Sequence, residues 1–249
     1  MTTTIFAARR ILTMNASRPF ATHVAVRDGR VLAVGTEEEL RAWGDATLDE
    51  RFADLVLMPG LIEGHSHLVE GAVWDHTYVG YYDRTGPDGR VWPGLKSIDA
   101  VVERLQAADA ALTDPDAPLI AWGFDPIFFG ERRMSAADLD RVSTRRAIDM
   151  QEVMTDAAGK PTGELAGMVG MYLALKAMKY DLAGASTQPD ALWNFARICQ
   201  IAGVTTATDL HSPLDEALVA RLRGEVDKDD YPIRLVPAFG GTLLPAAQG

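Results

Sequence analysis

Two spacings of apolar residues divide this chain. Over roughly the first fifty residues, apolar and polar positions alternate in short runs, the two-residue period of half-buried strands. "TIFAARRILTM" and "HVAVRDGRVLAVG" are such runs, and Asp28-Gly29 is a dipeptide suited to a tight hairpin. "TEEEL" follows, with Thr36 three residues before Glu39, the spacing of a capping box and the start of a short helix. "FADLVLMPG" then returns to extended chain and reads as a buried apolar run. Together these predict a small β domain.

From Leu55 onward, strands alternate with amphipathic helices. "SIDAVVERLQAADAAL" opens on Ser97 as cap and puts Ile98, Val101, Val102 and Leu105 on one face. "PLIAWGF" is a short buried-type strand. "SAADLDRV" is a second capped helix, with Ser135 and Asp138 at cap spacing. "DALWNFARICQIAG" is a helix closed by Gly203, and "VTTATDL" is the strand after it. "SPLDEALVARLRGEV" starts with Ser212 as cap and Pro213 at the first helical position, and "IRLVPAF" is a further strand. The alternation predicts an α/β architecture built on a parallel sheet. About four convincing strands are too few to close a barrel, which takes about 250 residues by itself.

Composition narrows the partners. A formal net charge of −11 over 249 residues argues against nucleic acid or an anionic membrane as partner, since both need a basic face. The single cysteine, Cys199, excludes an internal disulfide and fits a reducing compartment. It lies at helical spacing from Leu192, Phe195 and Ala202, so a buried, inert thiol is expected rather than a nucleophile. No apolar leader opens the chain, and no apolar run reaches the roughly 20 residues of a membrane span, so a cytoplasmic location is expected.

The chemistry lies in "LVLMPGLIEGHSHL". On a strand, His65 and His67 point the same way and Ser66 the other, so the two imidazoles lie close enough to share one metal ion. Leu61 and Glu63 have the same parity. Glu63 reads either as an acceptor fixing a histidine tautomer or as a local structural hydrogen bond. The histidines fall at the carboxyl end of the strand, where α/β barrels carry their active sites.

"MPGLIEGHSH" resembles the first barrel strand of the amidohydrolase superfamily of metal-dependent hydrolases, and "VAVRDGRVLAVG" resembles its N-terminal β-sandwich segment. "AWGFDP", "LDRVS", "GKPTGEL" and "AGVTTATD" are similar to one branch, the third amidohydrolase family, which includes N-substituted formamide deformylases. The resemblance implies an α/β fold: a partial (β/α)8 TIM-like barrel over residues 58–249, preceded by a small β-sandwich segment over residues 1–57. It further implies His65 and His67 as ligands to a divalent metal, expected to be zinc. The substrate would be a small amide-type molecule, hydrolysed at a non-peptide C–N bond.

The family completes its site with a lysine, two further histidines and a late aspartate, and none of these has a matching position here. A truncated, internally deleted or incompletely represented chain is therefore expected, holding part of a site. Its alternative is a non-catalytic remnant, with homo-oligomeric assembly left open. Trp122 and Asp125 are placed at the carboxyl end of a second barrel-type strand as candidate substrate-binding residues. Core packing of Trp122 and a turn begun by Asp125 before Pro126 are equal readings. His211, with Asp209 at the same parity, reads as a polar loop residue before it reads as a ligand. His76 reads as loop or pocket lining, and His23 as part of the small β domain.

Overall fold

The computed structural model describes residues 2–115, 117–130, 132–144, 148–149, 175–176, 178–212 and 216–239. The chain divides into two compact units, Met1–Leu61 and Ile62–Gly249.

The first unit holds β1 (Thr3–Leu12), β2 (Phe20–Arg27), β3 (Arg30–Gly35), α1 (Glu37–Arg41) and β4 (Ala46–Leu57). They form one sheet in the order β3-β2-β1-β4, with β1 antiparallel to β2 and parallel to β4. Only two residues join β2 to β3. Asp28 and Gly29 both have positive φ, 51° and 71°, as this tight hairpin turn requires. Thr36 and Glu39 close the expected capping box, each side chain bonding the other's backbone. Leu40 thereby reaches a core shared with Ile5 and Ala25.

The apolar run after it differs from expectation. Leu55, Val56, Met58 and Ile62 are exposed, Ile62 by 74%. Ile62 belongs to a strand at the edge of its sheet among the described strands.

The second unit begins with β5 (Leu61–Ser66), α2 (Val69–Ala72) and a 3-10 turn at Val73–Asp75. β6 (Thr77–Tyr78) and the ribbon of β7 (Arg84–Thr85) and β8 (Val91–Trp92) come next. Then come α3 (Ile98–Ala111), β9 (Leu119–Trp122), a 3-10 turn at Pro126–Phe129, α4 (Ala136–Asp140) and β10 (Ile148–Asp149). The last part holds α5 (Leu182–Ser186), α6 (Pro189–Ile201), β11 (Val204–Ser212), α7 (Glu216–Val226) and β12 (Arg234–Phe239).

Three sheets result, in the orders β12-β11-β5, β10-β9-β6 and β7-β8. None of them is a closed barrel among the described strands, and the architecture is mixed α/β. β11 and β12 are parallel and joined through α7, a βαβ crossover. The "PLIAWGF" strand is not, as expected, the next strand of the histidine sheet. As β9 it lies between β6 and β10, and the strand hydrogen-bonded beside β5 is β11. Apolar periodicity identifies a strand but carries no information about its neighbour.

The helices follow their caps. Ser97 bonds the backbone N–H of Ala100, and Ser135 and Asp138 form a reciprocal box. Ser212 ends β11 instead of capping a helix, and the described part of α7 begins at Glu216. Pro213 and the "GKPTGEL" stretch lie outside the described residues. Among the described residues no helix is long and apolar enough to cross a membrane.

Two cores support this unit. One gathers Leu192, Phe195 and Cys199 of α6 with Ala207 of β11, Leu222 of α7, and Leu68. The other sets Val101, Val102 and Leu105 of α3 against Leu119 of β9 and Val79. α2 lies on α6 at backbone distance: a Cβ on Gly71 would stand 2.0 Å from the carbonyl oxygen of Ala191. That atom cannot rotate away, so Gly71→Ala is expected to destabilise the protein by about 1–3 kcal/mol. Urea unfolding checks this, the midpoint falling while the slope is retained.

Candidate metal centre

β5 ends at Ser66, so His65 is its penultimate residue and His67 the first beyond it. The anchoring is done by the residues of opposite parity. Ser66 is 5% exposed, and its hydroxyl donates to the carbonyl of Thr208 on β11 at 2.9 Å. Leu68 is buried in the α6–α7 core. With Ser66 and Leu68 turned inward, alternation leaves His65 exposed and His67 partly exposed on the other side.

The two rings stand with centroids 5.2 Å apart and planes at 85°. Two imidazoles bound to one tetrahedral ion at about 2.0–2.1 Å per nitrogen have ring centres roughly 5 Å apart. The separation therefore suits a shared ion.

Asp209 of β11 lies beside His67. It is 1% exposed, and its Oδ1 lies 3.8 Å from Nδ1 of His67. This is beyond hydrogen-bonding distance, so the two side chains are neighbours without a direct bond. Asp209 is thus associated with His67, where parity along its own strand had grouped it with His211. The side chain of His211 lies outside the described residues. Glu63 accepts the backbone N–H of His65 at 3.0 Å, which is the local structural bond of its two readings. Among the described residues no three histidine, cysteine, aspartate or glutamate side chains converge as a metal-holding group.

The remaining candidates lie elsewhere. Trp122 belongs to β9, outside the histidine sheet, and packs against Trp74 and Tyr78 at ring distances of 4.8 and 4.9 Å. Its indole nitrogen is buried with no partner among the described residues. Asp125 is exposed, and its carboxylate accepts from Ile127 N–H at 3.0 Å, capping the 3-10 turn. His76 Nε2 meets the hydroxyl of Tyr180 at 2.8 Å, and burial lowers its pKa, favouring the neutral ring. His23 contacts the hydroxyl of Thr22 in the first unit.

No family model matches the chain. Among curated proteins, it is 39% identical over 141 residues to Protein LONG AFTER FAR-RED 3 of Arabidopsis thaliana. That match takes in 55% of this chain and 22% of the plant protein. Two solved structures are similar over 99% of this chain, both at 13% identity and both described as uncharacterized metal-dependent hydrolases. The one from Pyrococcus horikoshii OT3 gives a TM-score of 0.61, and the one from Pyrococcus furiosus gives 0.60. The likeness is one of fold. This chain spans about half the length of each, 50% and 52%.

Cys199 takes no part in this arrangement. It is buried on α6, and desolvation pushes its thiol up to about 11. At pH 8 its reaction with a thiol reagent is expected to be on the order of a hundredfold slower than that of a free cysteine. Addition of denaturant should abolish the difference, and the release of reagent chromophore follows both rates.

Proposed function

We propose that this chain carries the histidine pair of a metal-dependent hydrolase acting on a non-peptide, amide-type C–N bond. The observation that carries the reading is the pair itself, two imidazoles 5.2 Å apart at the end of a strand anchored on both sides by buried residues. His65 and His67 would hold the ion, with Asp209 orienting His67 through Nδ1. A divalent ion, zinc by this nitrogen donor set, supplies water activation near neutral pH and polarises a carbonyl. The fold likeness to two metal-dependent hydrolases supports this reading, as does the resemblance of "MPGLIEGHSH" to the first amidohydrolase barrel strand. The finer assignment is to N-substituted formamide deformylases of the third amidohydrolase family. Residues 1–57 then correspond to the β-sandwich segment and residues 58–249 to the N-terminal part of a TIM-like barrel.

Trp122 and Asp125 remain the proposed lining for a small amide-type substrate, with neither nucleic acid nor membrane as partner and a cytoplasmic setting. A catalytic zinc normally has three protein ligands, and the described residues bring two histidines together. The 249-residue chain alone is therefore expected to hydrolyse N-formyl and N-acyl amines at or near the uncatalysed rate.

Zinc titration of the purified chain, followed by calorimetry and by metal analysis after chelator-free preparation, tests the reading. Binding near one ion per chain is expected, weakened at least about tenfold by His65→Ala and by His67→Ala. Loss of Asp209 as Asp209→Asn should weaken binding less than either. Binding unaffected by both histidine substitutions, or no zinc bound at all, would leave the pair as a non-catalytic relic.

A further inference from the structure

A second site is present in the same unit. A cleft of 720 Å³ opens between the Val73–Asp75 turn, the β7–β8 ribbon and the first turns of α6. That volume lies in the range of about 300–1,000 Å³ that receives small molecules. Neither histidine of the pair lines it, and neither does Asp209.

Its walls combine two chemistries. Three of the chain's five tryptophans, Trp74, Trp92 and Trp193, line it. Asp75, Asp88, Asp190 and Asp230 stand among them, against Arg197 as the cation of the lining. None of the four carboxylates forms an ion pair with a described residue. The carboxylates outnumber the cation of the lining, so the cleft is electronegative.

Two of the three rings are held before any ligand arrives. Trp74 packs edge-on against Trp122. Trp193 packs against Tyr231 at 5.3 Å, and its indole N–H donates to Glu225 at 2.9 Å. Little ordering cost remains to be met on binding. Two of the rings already attract guanidinium groups, with Arg90 at 4.4 Å from the centroid of Trp92 and Arg197 at 6.0 Å from that of Trp193.

The form of the cation follows from how the charge is spread. Among the described residues, no three carboxylates converge closely enough to chelate an inorganic ion. A compact, strongly hydrated metal needs such convergence. A large ion with diffuse charge and an apolar surface does not, and it gains from contact with indole faces. We propose that this cleft binds a small alkylated ammonium ion, a function independent of the histidine pair.

Choline is the simplest probe, and 3,3-dimethyl-1-butanol is its uncharged counterpart of the same shape. Titrating choline into the nitrogen-15-labelled chain should move the indole N–H resonances of Trp74, Trp92 and Trp193 along one saturable curve. Trp43, in the other unit, should stay in place. The neutral counterpart should bind at least about tenfold more weakly. The double variant Asp75→Asn, Asp230→Asn should weaken choline about fivefold with an otherwise unchanged spectrum. Trp92→Leu provides a second test through the β7–β8 ribbon and should weaken it similarly. Equal binding of choline and its neutral counterpart would overturn the proposal, as would shifts that never saturate or that include Trp43. Affinity unchanged in both the double variant and Trp92→Leu would overturn it as well.

Discussion

The second unit depends on a one-residue alternation. Ser66 and Leu68 are drawn inward, one by a hydrogen bond to the neighbouring strand and the other by burial in the α6–α7 core. His65 and His67 face outward as a result. A strand read one residue out of register would exchange the faces and bury two imidazoles. The Ser66 hydroxyl on the Thr208 carbonyl opposes that slip directly, tying together positions 142 residues apart in sequence.

The features legible in the sequence were those set by neighbours within about four positions. Asp28-Gly29 supplies the two positive φ values of a tight hairpin. Thr36 with Glu39, and Ser135 with Asp138, satisfy exposed helix N–H groups at fixed spacing. The proximity of His65 and His67 is of the same kind, because alternate residues on a strand share a side. What stayed hidden depends on strand pairing. The partner of β5 is β11 rather than β9, and Asp209 reaches His67 only because β5 and β11 are adjacent. Hydropathy also overstated the burial of Leu55 to Ile62, since an apolar run is covered only where another layer is placed over it.

The two cores of the second unit perform different tasks. The core beneath α6 and α7 receives Leu68 and so fixes the end of the histidine strand. The core of α3 and β9 takes in Val79 and Ala121, next in sequence to Tyr78 and Trp122, whose rings pack on each other and, through Trp122, against Trp74 in one wall of the acidic cleft. His65 is exposed and His67 partly so, whereas the cleft is lined by carboxylates and indoles.

The contact of Gly71 with Ala191 determines how rigidly these parts are joined. Most helix pairs meet through side chains, which change rotamer and absorb small displacements. Here a Cα faces a peptide oxygen, and neither has a torsion that can yield. Gly71 lies about one helical turn beyond His67, and Ala191 lies between Asp190 and Trp193 on α6. The junction therefore behaves as a rivet, not a spring: movement at the start of α6 is passed undamped to the chain leaving the histidine strand.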